Sequence, residues 1–319
     1  MKIAFIVDQL NSIKIDKDSS FAMMSEAVSR GHFLFVMQQE DLVWKDGKTI
    51  GLVRTLELTG RTDNEHSWYR TGEQKEIPLY KFDAVLMRKD PPFDTEYLYS
   101  TYLLELAEKQ GAYIINSPQG IRDYNEKLAI VKFPKLIPPT LITRQEKLIR
   151  EFLSEHLDIV LKPLDGMGGA GVFRVHSADY NVSVIIETLT RHGARMIMAQ
   201  RYIAEISQGD KRIFLIAGKP VPYALARIPK LGESRGNLAA GGLGVAKLLT
   251  DRDYEIAKAL GPVLHDQGLM LVGLDVIGEY LTEINITSPT CMHEINNQTG
   301  FNVAGMVIDE IEKNERELK

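Results

Sequence analysis

The sequence predicts an α/β first third followed, from about Thr140, by a part of α+β type. Three observations carry this. Short apolar runs alternate with helical periodicity through the first third, the pattern of βαβ units. From about Thr140 the strands and helices come in quicker, irregular order, with paired strands that read as antiparallel. A glycine-rich run at Gly166–Gly171 is followed by strand-type residues instead of a helix.

The elements follow in order. KIAFIVD opens as a strand. Ser19 or Ser20 can cap a helix through Phe21, Met24, Ala27 and Val28, which Gly31 ends before the strand HFLFVM. A polar stretch from Gly47 to Pro78 separates these from DAVLMR, the helix EYLYSTYLLELAEKQG and AYIIN. Two βαβ units imply a parallel sheet whose ligands sit beyond the carboxyl ends of its strands, and Asp8, Arg88 and Asn116 fall there. The second part runs TLIT, a helix around EKLIREFLSEH, IVLKP, GVFRV, the helix VSVIIETLTRH and RMIMAQR. KRIFLIAG and PVPYALARI then form a hairpin, for which Gly218-Lys219 suits a type II′ turn. A glycine-rich stretch from Leu231 to Val245, a helix from Asp251, the strands LMLVGLDVIG and YLTEINIT, and an amphipathic helix from Asn302 complete the chain.

Composition narrows the function. The net charge of -5, from 38 basic and 43 acidic residues, is no general footprint for nucleic acid. One cysteine, Cys291, leaves no intrachain disulfide and no cysteine-based zinc site, and the seven histidines show no HxxxH or HxH spacing. No segment approaches the roughly 20 apolar residues of a membrane span, and the amino terminus lacks a secretory signal pattern. A soluble cytoplasmic protein with no membrane partner is expected.

Gly166, Gly168 and Gly171 satisfy GxGxxG, but the following Val172, Phe173 and Val175 read as a strand. The segment is strand, glycine loop, strand, which can fold over phosphates and donate backbone N–H groups to them. It reads against a dinucleotide-binding oxidoreductase, whose glycines open a helix. Lys162 interrupts the apolar strand before the loop and must reach water or an anion. Lys127, on spacing alone, is a surface residue beginning a helical run. Asp275 interrupts another apolar strand, and Glu283 and Asn285 share a face of the next. With a two-residue turn Asp275 would pair with Thr282. A three-residue loop at Gly278-Glu279-Tyr280 would put it opposite Glu283, and three oxygen-bearing side chains would then converge as Mg²⁺ requires. The three-residue loop is the expectation. Arg88, Arg212, Arg227 and Arg235 stand at strand ends or in the glycine-rich stretch and suit carboxylate or phosphate, although each taken singly reads as solvated surface.

Two patterns mislead. Gly47-Lys48-Thr49 ends like a phosphate-binding loop, but Leu42 stands where its first glycine belongs. Gly232-Glu233-Ser234-Arg235-Gly236 has the GxSxG form of a hydrolase elbow, with Asp275 and His293 in suitable order. That elbow needs a strand into the serine and a helix out of it, whereas Pro229 precedes and NLAAGGLG follows.

Taken in chain order, the strings KDSSFAMM, LMRKDPPFDTEY, NEKL, LKPLDGMGGAG, GDKRIFLI, RIPKLGESRGNLAAGG, VGLDVIG and TEINITSPT resemble the ATP-grasp ligases and, within them, the bacterial glutathione synthetases over essentially the whole chain. One departure is Leu243, where that family has a basic residue. The resemblance implies an ATP-grasp fold, with an α/β substrate-binding domain over residues 1–124 and two α+β units, 125–202 and 203–319, that clasp ATP. It implies that Lys127, Lys162, Gly166, Gly168, Gly169 and Gly171 hold the phosphates, that backbone around Gln200, Tyr202 and Ile203 receives adenine, and that Asp210 and Arg212 complete the nucleotide site. Arg88, Arg227, Arg235, Asn285, Ser288 and Thr290 would meet substrate, with Arg212 and Arg235 acting in catalysis. Asp275, Glu283 and Asn285 would carry Mg²⁺ or Mn²⁺, and residues Pro229 to Gly242 would form a lid. The implied reaction joins γ-glutamylcysteine to glycine through an acyl phosphate, in a homotetramer. Another ATP-grasp ligase would lack RKDPPFDTEY and ESRGNLAAGG, and a nucleotide-binding regulatory module would not need the whole metal set.

Overall fold

The computed structural model describes residues 1–60, 68–230, 232, 236, 238 and 241–317, without the side chains of 315–317. The first unit contains β1 (Lys2–Ile6), α1 (Ser19–Ser29), β2 (Phe33–Met37), β3 (Leu42–Lys45), β4 (Lys48–Leu58), β5 (Tyr69–Thr71), β6 (Lys75–Pro78), β7 (Ala84–Met87), α2 (Thr95–Lys109), β8 (Ile114–Ile115) and α3 (Pro118–Asp123). The second contains β9 (Thr140–Thr143), α4 (Glu146–His156), β10 (Asp158–Pro163), β11 (Phe173–His176), α5 (Val182–Thr190) and β12 (Ile197–Arg201). The third contains β13 (Asp210–Ile216), β14 (Lys219–Ile228), β15 (Leu243–Leu248), α6 (Asp251–Asp266), β16 (Leu271–Ile277), β17 (Tyr280–Asn285), α7 (Met292–Thr299) and α8 (Val303–Glu317).

Among the described residues these strands make three sheets. The first has the order β3-β4-β2-β1-β7-β8, with β5 and β6 also paired to β4. Its β2-β1-β7-β8 core is parallel, as the βαβ pattern requires. The other two sheets, β11-β10-β12-β9 and β15-β14-β13-β16-β17, are antiparallel. Alternate residues of β1 enter different cores. Ala4 and Ile6 pack in one with Ile213, Leu215, Val272 and Leu274; Ile3 and Phe5 pack in the other with Phe214, Ile216, Met292 and Val307. The first and third units are therefore sealed together on both faces. Ala4 apart, complete burial of each such side chain stabilises by about 1.5–3 kcal/mol. The second unit packs α4 and α5 on its own sheet through Ile149, Leu153, Ile159, Leu161 and Ile186.

Five expectations are corrected. The cap of α1 is Asp18, whose Oδ1 accepts from the N–H groups of Ser20 at 2.6 Å and Phe21 at 3.0 Å; Ser19 and Ser20 are the first helical residues. The polar stretch Gly47–Pro78 carries β4 and β6, which extend the parallel sheet with antiparallel strands. The β13–β14 connection is Ala217-Gly218, both at positive φ (47° and 75°) as a type I′ turn demands. The stretch from Leu231 to Val245 includes the start of β15, and α7 was not foreseen.

The fifth correction concerns the hairpin of β16 and β17. Its turn has two residues, Gly278 and Glu279, with Ile277 opposite Tyr280. Asp275 nevertheless lies opposite Glu283, because the register shifts between Asp275 and Val276. A β-bulge puts one extra residue, Thr282, in the second strand. The Thr282 hydroxyl donates to the Asp275 carbonyl at 3.1 Å, closing the irregularity. The predicted pairing holds, by a different device.

Candidate active site

A cavity of about 370 Å³ opens between the second and third sheets. Alternation along the strands supplies its walls: Val160 and Lys162 on β10, Gln200 and Tyr202 at the end of β12, Asp210 and Arg212 on β13, Asp275 and Ile277 on β16, Glu283 and Asn285 on β17. Lys127, Gly166, Gly168, Gly169, Ile203, Arg227, Ser288 and Thr290 line it as well. Of the residues singled out in the sequence, Gly171 and Arg88 do not line it. Arg235 and much of the predicted lid lie outside the described residues.

The glycine loop crosses from β10 to antiparallel β11, with Leu161 opposite Phe173. Gly168, Gly169 and Gly171 have φ of 61°, 81° and 71°, values that glycine reaches without steric cost. A strand therefore follows Gly171, not the helix an oxidoreductase would need.

Lys127 is not on the surface. It is buried, and its ammonium donates to the Gly166 carbonyl and to Glu283 Oε1 at 2.8 Å. Burial alone would lower its pKa, but Glu283 outweighs this and raises it. Lys162 lies deeper in the same cleft. Its Nζ donates to the Thr282 carbonyl, the group released by the bulge, at 3.1 Å. It has no ion-pair partner among the described residues, and burial depresses its pKa to about 8.

Arg212 and Arg227 are also buried, contrary to their individual surface reading. Arg212 grips Asp275 with two donors, Nε to Oδ1 at 2.6 Å and Nη2 to Oδ2 at 3.2 Å. Arg227 Nη2 reaches Asp275 Oδ2 at 2.8 Å and Asp210 Oδ2 at 2.5 Å. Burial would push the Asp275 carboxyl up, but the two arginines together hold it well below the usual carboxylate range. Both its oxygens are thus engaged. Asp210 is pushed by burial to about 6 despite Arg227, and its Oδ1 is buried with no hydrogen-bond partner.

Arg88 is buried behind the cavity wall. Its guanidinium donates to the Ser20 hydroxyl at 3.1 Å and to the carbonyls of Thr287 at 3.4 Å and Pro289 at 3.0 Å. Arg212 holds the Thr290 carbonyl at 3.2 Å, and Asp90 accepts from the Ser288 hydroxyl. The segment after β17 is thus gripped from several sides. The Asn116 amide bridges Leu271 and the Ile286 carbonyl. Asp8 accepts from the Asp90 N–H at 3.0 Å.

Sequence reasoning missed Glu126, Val160, Val172, Arg174, Ile206 and Ile277, all on the cavity wall. Period-two alternation from Lys162 and Asp275 points to Val160 and Ile277. Arg174 stacks on the Tyr202 ring at 3.6 Å, a contact between separate strand ends that no local pattern reveals. Among the described residues no three His, Cys, Asp or Glu side chains cluster closely enough to hold a metal, and no helix is long and apolar enough to cross a membrane.

Residues 1–122 match the family model of the prokaryotic glutathione synthetase N-terminal domain, and residues 126–300 that of the prokaryotic glutathione synthetase ATP-grasp domain. A relative named glutathione synthetase from Nitrosomonas europaea is 67% identical over 314 residues, covering 98% of each chain. Another of that name, from Ralstonia nicotianae, is 58% identical over 313 residues, covering 98% of this chain and 96% of its own. Among solved structures, D-cycloserine synthetase DcsG aligns with a TM-score of 0.67 at 15% identity, covering 99% of this chain and 100% of its own. The ATP-grasp ligase PsnB aligns with a TM-score of 0.63 at 15% identity, covering 99% and 98%. At such identity these two speak for the ATP-grasp fold alone.

Proposed function

The chain belongs to the prokaryotic glutathione synthetase family and is an ATP-dependent carbon–nitrogen ligase; from that premise we propose how its cleft joins γ-glutamylcysteine to glycine. The observation that carries the reading is the meeting of Lys127, Lys162, Glu283 and Asn285 beneath the glycine loop. Their sequence separation, with Lys127 and Glu283 156 positions apart, makes the meeting a product of the fold.

ATP would lie between the sheets, its base against Val160, Ile277 and the backbone near Tyr202, its phosphates under the glycine N–H groups. Lys162 carries unsatisfied donors into the cleft and would meet phosphate oxygens. Arg212 and Arg227, positioned by Asp275, would stabilise negative charge as the terminal phosphoryl group moves to the cysteinyl carboxylate of the dipeptide. The amine of glycine then attacks the acyl carbon, the amide bond forms, and phosphate leaves with the former carboxylate oxygen. No nucleophilic side chain is needed; orientation and fixed positive charge carry the rate.

The donors present fit a hard divalent cation. Asn285 Nδ2 is held by the Gly273 carbonyl at 3.2 Å, which leaves its oxygen for another partner, and Glu283 brings a carboxylate. One carboxylate and one amide suit Mg²⁺ or Mn²⁺ completed by phosphate oxygens and water. Such a cation, when bound, neutralises phosphate charge and orients the transferring group. In this reading Asp275 serves as the counter-ion of the arginines, and Ser288 and Thr290 border the peptide. A cytoplasmic location and a homotetramer remain part of the proposal, the latter testable by sedimentation.

The chemistry is tested with γ-glutamylcysteine labelled with ¹⁸O in its cysteinyl carboxylate. Label in the released phosphate is expected. Unlabelled phosphate would contradict the acyl-phosphate route.

A further inference from the structure

We propose that Glu126 is a positioning residue for the ligase reaction: it fixes the exit of β17 and thereby the reach of Glu283, Asn285 and the Ile286–Thr290 segment into the cleft. This rests on the ligase reading of that cleft.

Three consecutive side chains, 125–127, connect the two walls. Asn125 Nδ2 donates to the Leu164 carbonyl at 3.2 Å, at the root of the glycine loop, and its Oδ1 accepts from the N–H groups of Lys127 at 3.2 Å and Leu128 at 2.9 Å. Lys127 joins Gly166 to Glu283. Glu126 between them engages the opposite wall. Its Oε1 accepts from Ile286 N at 2.9 Å, Thr287 N at 3.1 Å and the Thr287 hydroxyl at 2.8 Å, while its main-chain carbonyl accepts from Ile284 N at 2.8 Å. One residue thus takes four hydrogen bonds from residues 284–287.

The chain needs an acceptor there. Pairing with β16 ends at Gly273–Asn285, so the next two amides lose their ladder partner. A carboxylate meets both of them and a hydroxyl with one oxygen, and an ionised acceptor makes the stronger bonds. The arrangement works against electrostatics: burial first and Glu283 second raise the Glu126 pKa, while the Thr287 and Ile286 donors oppose them. A second carboxylate beside the cation-binding one is tolerated because it holds the strand that carries the first. Arg88, Asp90 and Arg212 grip the same segment farther on, at residues 287–290, and none of them bonds the amides of Ile286 and Thr287.

The test uses the full chain with E126A and E126Q. In the unliganded protein, amide exchange over residues 284–290 is read by mass spectrometry. Mn²⁺ binding is read by electron paramagnetic resonance in the presence of ADP, and kcat and each KM are measured separately. E126A should speed exchange in that peptide and leave peptides of the first sheet unchanged. It should also weaken Mn²⁺ binding and lower kcat by about 10- to 100-fold, the usual effect of losing a residue that orients a ligand. E126Q keeps an oxygen acceptor and should restore protection, Mn²⁺ binding and most of kcat. Should E126A not fold, T287V removes one of the three donors and should produce a smaller change in the same readouts. Unaltered exchange and Mn²⁺ binding in E126A, or in T287V if E126A does not fold, would overturn the proposal, as would E126Q failing as badly as E126A. A parent protein that ligates nothing would remove the ligase reading, while the exchange and Mn²⁺ readouts would still decide what Glu126 holds.

Discussion

The two hairpins that face each other across the cleft are built in opposite ways. The loop between β10 and β11 is exposed at Met167, Gly168, Ala170 and Gly171 and presents mainly backbone. The hairpin of β16 and β17 is buried at every residue from Leu271 to Val276 and presents side chains. In the first, glycine provides positive φ: a Cβ on Gly168 would meet nothing within 4 Å. In the second, glycine provides room: a Cβ on Gly273 would stand 2.9 Å from Arg212 Cδ and from Pro289 Cβ. Backbone donors can follow a phosphate chain wherever it settles, whereas metal ligands and paired charges require a fixed frame.

Changes to the buried hairpin should therefore have the larger effects. Glu283→Gln should lower kcat by at least about 1,000-fold, as expected when a group that supports transition-state charge is removed, with the unfolding midpoint little changed. ADP release and circular dichroism would measure the two; near-parental turnover at low Mg²⁺ would take Glu283 out of the cation site. Asp275→Asn strands two buried arginines and should destabilise by about 3–5 kcal/mol, read from denaturant unfolding. A loss below about 1 kcal/mol would mean that solvent reaches the pair.

Lys162 links the two walls and gives a pH test. With its pKa pushed down to about 8 by burial, Lys162 should take up a proton when ATP binds above that pH. ATP affinity should fall by up to about tenfold per pH unit above 8, and Lys162→Arg, which stays charged, should flatten that slope. Calorimetry in buffers of different ionisation enthalpy would count the proton. For folding the sign is opposite: a pKa depressed from 10.5 makes the protein more stable as pH rises from about 8 towards 10.5. The smallest effect belongs to the exposed loop. Gly168→Ala should cost roughly 1–2 kcal/mol, the left-handed penalty, seen as a several-fold rise in the KM for ATP with little change in kcat. A Gly273→Ala protein as active as Gly168→Ala would erase the contrast between the hairpins.

Much of this was legible in the residues. Strand–loop–strand at Gly166–Gly171 followed from Val172, Phe173 and Val175, and the charge of Asp275 within an apolar strand signalled a partner. What local pattern could not show was the partner itself. Lys127 reads as surface because its reason for burial, Glu283, lies on β17, far along the chain; Arg212 and Arg227 are likewise gathered by Asp275, a residue of a different strand. The hairpin is the clearest case. Counting residues ties pairing to turn length, and a bulge at Thr282 breaks that tie while supplying the carbonyl that Lys162 uses. In the polar stretch, β4 and β6 lack a period-two signal: the burial of β4 does not alternate along its length, because it pairs with β2, β3, β5 and β6, partners that no local pattern names.

In the proposed reaction this cleft phosphorylates one substrate so that another can be joined to it. The most direct measurement is ADP release with γ-glutamylcysteine and Mg²⁺, with and without glycine, together with mass detection of the product. Glycine-dependent ADP release, with one glutathione formed per ADP, is the predicted result. ATP consumption that glycine leaves unchanged, or none with either substrate set, would contradict it.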